Sequence, residues 1–597
     1  MKKAKRQISL LLAVILMASL MAACAAPSTT ASPTAATATA APTTAGAVAT
    51  AAPEVVEPEK EEITLTAFVQ QSATSESGIW QGWGAKYLYD ETKIKIDFYP
   101  TGNEVEQKLQ QYLAAGDLPD IIGFKGLDQA QLAMDAGKLL PLDQHADKLP
   151  SIFDNEVYVN AVNYSQDFTS ADTGNLLIMP TAIGPTGYNS FNWQPMLQWD
   201  AFKKTGMDAP ATLEGYLDLI EAMVAVKPTT ENGEKVYGFS LFSDWDKHTA
   251  LQVSTLSFFY GIDSEYVSHL METNVLTKTT KSALDDDSFY RRALAFYFEA
   301  NQRGLLDPDS MTQTFSNVDA KYSAGRVMFS HFSWMTGSYN SRSSGNVDNP
   351  DGPDGYEAIV ADDMKLYVAP EQTIGRNWYF ALNKDTKNVD RTLEFLDWFY
   401  NPETIAYLSN GPEETIWTRN ESGEPYVIEE AYSMVDNNAD PLMPEEFGGG
   451  AFRDGMFAFN TPGLQASVVM DDGYTLGYRY WPQHIARNPT LMRLEWRERF
   501  DATVLQDYVS RGNNIANSTQ AVNMITPASD ELEMTMSQIG EIVKKYSWQM
   551  VYAKDQAEFD SLWETMKTEA DGLGMSKVVD YFTDQWTAAV EKVSDYE

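Results

Sequence analysis

The chain has 597 residues, with 44 basic side chains against 84 acidic ones and a formal net charge of −40 at pH 7. So negative a balance argues against nucleic acid, which is held by Lys and Arg contacts to phosphate, and against close adsorption to anionic lipid. The length is ample for a large core and points to more than one domain, and the single cysteine rules out an internal disulfide.

The first elements are targeting signals. Lys2, Lys3, Lys5 and Arg6 precede an apolar run from Ile8 to Leu20, and Met21-Ala22-Ala23 precede Cys24. A basic start, an apolar middle and small residues before a cut predict a secretory signal peptide over 1–23. The run is shorter than the roughly 20 residues a membrane-spanning helix needs. The segment ending in Cys24 resembles the bacterial lipobox, whose cysteine receives a diacylglycerol and further acyl chains such as palmitate; Met21 stands where that pattern prefers leucine. The resemblance implies lipidation at Cys24. From Ala25 to Ala52 the chain is almost wholly Ala, Thr, Ser and Pro, with no charge before Glu54. Such a segment buries too little apolar surface to order itself, so 24–62 reads as a disordered linker. As a coil it spans about 30–35 Å. Without the four signal-peptide cations the charge falls to −44, which reads as colloidal solubility.

The folded part begins near Ile63. Ile63, Leu65, Ala67 and Val69 alternate as a strand does, and Ile79, Trp80, Trp83, Tyr87 and Leu88 recur at helical spacing. Ile94, Ile96 and Phe98 alternate again. Pro100-Thr101-Gly102 turns the chain, Asn103 reads as an N-cap, and Val105, Leu109, Tyr112 and Leu113 share a helix face that stops at Gly116. Leu118 to Ile122 opens a third strand. Strands alternating with helices at this pitch predict an α/β fold with a parallel sheet. A second α/β region follows Tyr188. Thr212 caps a helix carrying Leu213, Tyr216, Leu217, Ile220, Met223 and Val224, a strand runs from Val236 to Phe242, and a helix from about Asp286 to Arg303 stops at Gly304. Further helices are expected over 389–400 and beyond about Ser529. Gly448-Gly449-Gly450 is a loop that lacks the Lys-Ser/Thr ending of a phosphate loop.

The stretch from Asn103 to Ile122, where a helix ends in Ala114-Ala115-Gly116-Asp117-Leu118-Pro119-Asp120 before a strand, resembles the extracellular solute-binding proteins of ABC importers. Gln198 to Gly206 with Pro210 and Thr212 to Tyr216, Gly325 to Met328 through Trp334, and Leu393 to Tyr400 resemble further blocks of that family in the same order. The size and the segment from Gly411 to Trp417 resemble its large lipoprotein branch, which includes oligosaccharide binders. The resemblance implies a two-lobed periplasmic-binding-protein-like α/β fold, with hinge strands and a ligand cleft between the lobes. It implies lobe one over 63–185 plus 365–460 and lobe two over 186–364 plus 461–597. It further implies a monomer, lipid-anchored on the extracytoplasmic face of a bacterial cell membrane. Such a protein binds a small-molecule ligand, an oligosaccharide, and delivers it to the transmembrane subunits of an ABC permease. Ligand closure would be a hinge motion.

A sugar ring has an apolar face and a rim of hydroxyls, so tryptophan beside Asp, Asn or Arg is the expected site chemistry. Trp80, Asn192, Trp193, Asp244, Trp245, Trp334, Arg376, Asn377, Trp378 and Trp417 are the candidates, because they fall in predicted loops at strand ends. Trp83, Trp398, Trp548 and Trp563 sit at helical spacing and read as core. No cofactor or metal is expected. The place of the family's calcium loop reads Lys227 to Glu234 without alternating acidic oxygens, and Asp348, Asp351 and Asp354 are spaced by three. The five histidines show no paired metal spacing and no Gly-x-Ser-x-Gly elbow occurs, so no catalytic residue is assigned and the chain reads as a non-enzyme. An extracellular carbohydrate-active hydrolase, which needs only two carboxylates, and a surface adhesin are the alternatives.

Overall fold

The computed structural model describes residues 60–70, 77–99, 105–170, 172–185, 191–343, 355–437, 442–455, 459, 462–487 and 490–596. The signal segment, Cys24, the linker up to Glu59, Asn103 and the Asp348–Asp354 cluster lie outside them, as do the side chains of Arg376 and Asn377.

Strands β1 (Ile63–Val69), β2 (Gly78–Ile79), β3 (Ile94–Phe98), β4 (Ile121–Phe124) and β5 (Met179–Thr181) alternate with helices α1 (Trp83–Thr92), α2 (Val105–Ala115) and α3 (Leu127–Asp135). β1 pairs in parallel with β3 and β4. The two-residue period sends Leu65, Ala67 and Val69 into one core and Phe68 into another; Ile121 and Ile122 part in the same way. Ile79 and Trp80, expected on a helix, belong instead to a short strand and turn, where Trp80 N–H donates to the Ile96 carbonyl at 2.8 Å. Gly82, at φ +89, holds the chain out of helix until Trp83.

β6 (Trp193–Gln198) opens a second body. Helices α4 (Trp199–Thr205), α5 (Gly215–Val226) and α6 (Phe289–Gln302) follow, then β7 (Phe329–Phe332) and β8 (Tyr356–Ala358), which flank β6 in an antiparallel sheet. Thr212 heads a turn rather than the helix: its carbonyl accepts from Gly215 N–H at 3.1 Å, and α5 begins there. Ser288 caps α6 by accepting from Arg291 N–H at 3.2 Å. The expected strand over 236–242 makes only isolated bridges, Tyr237 to Val327 and Phe239 to Leu306. It is pinned to two different segments in turn, so no continuous ladder forms.

β9 (Arg376–Leu382) returns to the first sheet between β4 and β5, antiparallel to both, giving the order β2-β3-β1-β4-β9-β5. α7 (Val389–Tyr400) packs beneath it through Leu393, Phe395, Leu396 and Phe399. Helices α8 (Leu491–Phe500), α9 (Asp530–Val551), α10 (Gln556–Leu573) and α11 (Met575–Lys592) bring Trp496, Trp548, Trp563 and Trp586 into the second body.

The cores divide the chain. One joins Tyr164 to residues between Phe191 and Ile374 and between Met492 and Val593. The other two lie on opposite faces of the six-stranded sheet and draw on residues between Leu65 and Ile183 and between Tyr379 and Trp481. Where the chain passes between bodies its segments run side by side. Gly184 and Gln372 exchange both backbone hydrogen bonds, at 3.0 and 2.8 Å, and Ile183 bridges Leu464. No helix among the described residues is long and apolar enough to cross a membrane.

Candidate functional site

Register places Phe332 of β7 opposite Trp193 of β6, so the end of one strand and the start of the other leave the sheet together. Beyond β7 a short turn begins at Trp334, which is 47% exposed. The facing loop is anchored by two carboxylates. Asp244 Oδ1 accepts from Phe315 N–H at 2.8 Å. Asp246 accepts from Leu251 N–H at 2.9 Å and from the Trp548 indole at 2.7 Å. Trp245, between them, is 38% exposed. Its ring stacks on Phe315 at 4.6 Å and on Trp334 at 6.0 Å, each with an interplanar angle of 25°. Phe332 backs Trp334 at 5.2 Å. Large aromatics are ordinarily buried. A near-parallel pair held open by backbone anchors offers flat apolar faces of the kind that cover the C–H side of a sugar ring.

A residue close in sequence to each tryptophan lines a cavity shared by both bodies, though neither tryptophan lines it itself. Three residues after Trp245, His248 lines a cavity of about 370 Å³ with Tyr266, His269 and Asn523, opposite Lys125 to Asp128 at the β4–α3 junction. Burial lowers the pKa of His248 and pushes that of His269 down to about 4. The Nδ1 atoms of both are buried without a hydrogen-bond partner, and the rings lie 6.2 Å apart. Ser333, next to Trp334, lines a second cavity of about 550 Å³ with Phe191, Gln194 and Glu357, opposite Arg479, His484 and Ile485. Asp246 is pushed up to about 6 by burial, against the pull of its two hydrogen bonds. A further cavity of about 830 Å³ is confined to the second body. Arg291 pairs there with Asp560 at 3.3 Å and Lys281 with Asp287 at 3.1 Å, while Arg292 and Asp286 pair with Glu214 and Lys567 outside it.

The other sequence candidates are scattered. Trp80 is 9% exposed and meets Phe459 edge-on at 5.3 Å. Trp193 is 6% exposed and stacks on Phe258 at 4.0 Å. Asn192 is exposed beside it. Trp417 is half-buried; its indole donates to the Gly411 carbonyl at 2.9 Å and its ring meets Trp481 at 5.3 Å. Trp378 is half-buried in β9, and its carbonyl accepts from the Thr181 hydroxyl at 3.4 Å. Arg376 pairs through its backbone with Thr181, and Asn377 follows it in β9. Trp83, Trp398, Trp548 and Trp563 are buried. Sequence reasoning missed Phe315, Phe332, Glu357 and the arginines of the second cavity. A signal for the last existed: Arg479, Arg487, Arg493, Arg497 and Arg499 crowd one stretch of a strongly acidic chain.

Two bodies with separate sheets and cores, linked by paired crossing segments and with cavities at their junction, define a two-lobed solute-binding fold. Residues 72–406 match the family described as bacterial extracellular solute-binding protein, and the chain belongs to that family. It is 24% identical over 241 residues to the fructooligosaccharide ABC transporter substrate-binding protein FusA of Streptococcus pneumoniae. That match covers 39% of this chain and 43% of the relative's length. The solved structure of S. pneumoniae FusA with kestose superposes with a TM-score of 0.58 at 16% identity, over 89% of this chain and all of that one. An HMO-binding, ABC-transporter-associated solute-binding protein from Bifidobacterium longum infantis gives a TM-score of 0.54 at 16% identity, over 88% of this chain and 98% of that one. At these identities the likeness establishes the fold.

Proposed function

We propose that this protein is a non-catalytic receptor that captures an extracellular oligosaccharide and delivers it to the permease of an ABC importer. The observation that carries this reading is the exposed Trp245–Trp334 pair, whose flanking residues line cavities between two lobes. Family membership and the oligosaccharide ligands of its relatives support it. In this reading Trp245 and Trp334 cover sugar faces, Asn192 and Trp378 lie at the cleft's edge, and Arg376 and Asn377, at the start of β9, are further ligand contacts. Asp244 orients the platform, while Trp193 belongs to the core of the same lobe and Trp80 and Trp417 pack in the other. The lobes divide along their cores, which favours placing 365–374 with lobe two and 464–481 with lobe one. Acylation at Cys24 would tether a monomer to the outer face of the cell membrane, two chains giving stable anchoring where one is marginal.

A panel of oligosaccharides, scored by melting temperature and tryptophan fluorescence, tests the function. Binding without turnover of the sugar is expected. A peptide or other solute that binds while every sugar fails would overturn it. Trp334→Ala or Trp245→Ala is expected to weaken sugar binding by about 1–2 kcal/mol, roughly 5- to 30-fold, with the melting temperature of the free protein little changed.

A further inference from the structure

We propose that the cavity at the β4–α3 junction is a subsite for an uncharged sugar residue, its hydroxyls shared between the imidazoles of His248 and His269 on one lobe and the N-terminus of α3 on the other. This rests on the receptor reading above and names the chemical class of its ligand. The cavity, about 370 Å³, stands at the low end of the range for small-molecule sites. It lies just past the end of β4, where Lys125 N–H donates at 3.0 Å to Gln70 Oε1, itself just past the end of the parallel strand β1. The carboxyl ends of parallel strands are where open α/β sheets seat ligands.

The second lobe supplies acceptors. Both imidazoles line the cavity, and the Nδ1 of each is buried without a hydrogen-bond partner. An unpaired buried polar atom is costly, and two beside one cavity mark a place that a ligand completes. Burial keeps both rings neutral, His269 down at about 4, and a neutral imidazole has one nitrogen that only accepts. The His269 ring donates to the Ser264 backbone, which leaves its other nitrogen as the acceptor. Both loops are pinned. Asp246, the anchor of Trp245, accepts at 2.9 Å from Leu251 N–H, three residues beyond His248. Asp263, wholly buried, accepts from Glu265 and Tyr266 N–H at 2.9 and 2.8 Å and fixes the loop that carries His269. A Cβ on Gly540, in the middle of α9, would come within 2.9 Å of His248 Cδ2. That glycine admits one edge of the ring, and Nδ1 lies on the opposite edge.

The first lobe supplies donors. α3 starts at Leu127 after Gly126, an N-cap with no side chain to accept from the first-turn N–H groups. Gly126, Leu127 and Asp128 all line the cavity. A hydroxyl accepts from one wall and donates to the other, so a sugar seated here ties the lobes together as they close. Charge excludes the other ligands. Asp128 and Glu533 face the cavity from opposite lobes, and Glu533 is raised by burial and by the charge of Asp128; a further anion would add to that repulsion. Lys125 on the lining, with Lys247 and Lys544, whose charges bear on the histidines, opposes a cation. Among the described residues no three His, Cys, Asp or Glu side chains are grouped to hold a metal.

Calorimetric titration of the full chain tests this with matched sugars: carboxyl-reduced galacturonate trimer against galacturonate trimer, N-acetylglucosamine trimer against glucosamine trimer, and lactose against sialyllactose. In each pair that binds, the neutral member is expected to bind about tenfold or more tighter. His248→Phe and His269→Phe should each weaken the neutral sugar about three- to tenfold, and His269→Asn, whose Oδ1 accepts near the place of Nδ1, should lose less. Should the Phe variants not fold, the native protein labelled with 15N-histidine gives the same answer: the bound neutral sugar should move the ring-nitrogen signals of two of the five histidines. Equal or tighter binding of the charged members overturns the proposal. So does a neutral sugar bound with affinity unchanged in both Phe variants, or with the histidine signals unmoved; the receptor reading then stands. If no sugar binds, both fall.

Discussion

Trp245 and Trp334 are exposed because their neighbours are anchored. Asp244 and Asp246 spend their carboxylates on a backbone N–H and on the Trp548 indole, so the loop cannot collapse and bury the ring between them. Asp246→Ala should therefore loosen the platform as well as the fold. We expect a loss of about 1–3 kcal/mol in stability, from the buried donors left unmatched, with sugar affinity falling further than that of Trp245→Ala. Chemical denaturation and titration measure the two. Glu357 makes a pH prediction. Burial, against the pull of Arg493 and Arg497, raises it from 4.5 to about 7. The folded protein thus keeps a proton that the unfolded chain releases near 4.5, and this contribution to stability is lost as pH rises from there through 7. Glu357→Gln cannot ionise. Relative to the native protein it should gain on the order of 1–3 kcal/mol at pH 8 and little at pH 5, read from urea midpoints at both.

Among the elements, α1 shows how close the packing is. The loop around Phe452 closes over its first turn: Trp83 donates to the Phe452 carbonyl at 2.9 Å, and its ring stacks on Phe452 at 5.7 Å. A Cβ on Gly84 would fall inside the Gly455 carbonyl, which is backbone and cannot swing aside. Gly84→Ala should cost about 1–3 kcal/mol, seen as a lower melting temperature with ligand affinity preserved. Elements governed by local period were legible from the residues alone. β1 and β3 show it in their alternation, and α6 in its stop before Gly304. Trp80 misled because a buried turn beside a two-residue strand mimics helical spacing. The 236–242 segment misled because alternation predicts pairing but not whether a single partner strand exists. The arginine-lined cavity was illegible for another reason: residues 479–497 come to line one cavity only because α8 and the preceding short helix are held by different lobes.

For the whole molecule, several buried carboxyls shift the same way as Glu357. Burial raises Asp246 and Asp263 to about 6 and Glu272 to about 7. Each favours the protonated folded state, while the buried His248, His269 and His331 favour the neutral one and offset this below about 6.5, so stability should fall as pH rises from about 6.5 to 8, and self-repulsion of so acidic a chain adds to the trend. A melting profile between pH 4 and 8 checks it; a flat profile would contradict the assignment. Two lobes linked by the paired Gly184 and Gln372 segments also predict closure on binding. Small-angle scattering should give a smaller radius of gyration with saturating sugar, and Gly184→Val, whose Cβ would strike Val468, should blunt that change.

The interleaving of the cores bears on how the chain acquires its shape. The larger core joins Phe191 to Val593, and the six-stranded sheet awaits β9 before β4 and β5 have a common neighbour. Neither lobe is a contiguous stretch that could fold as it is made. Contacts so distant in sequence must each close a long loop first, which slows folding. A chain built this way is expected to commit to its fold only once nearly all of it has emerged.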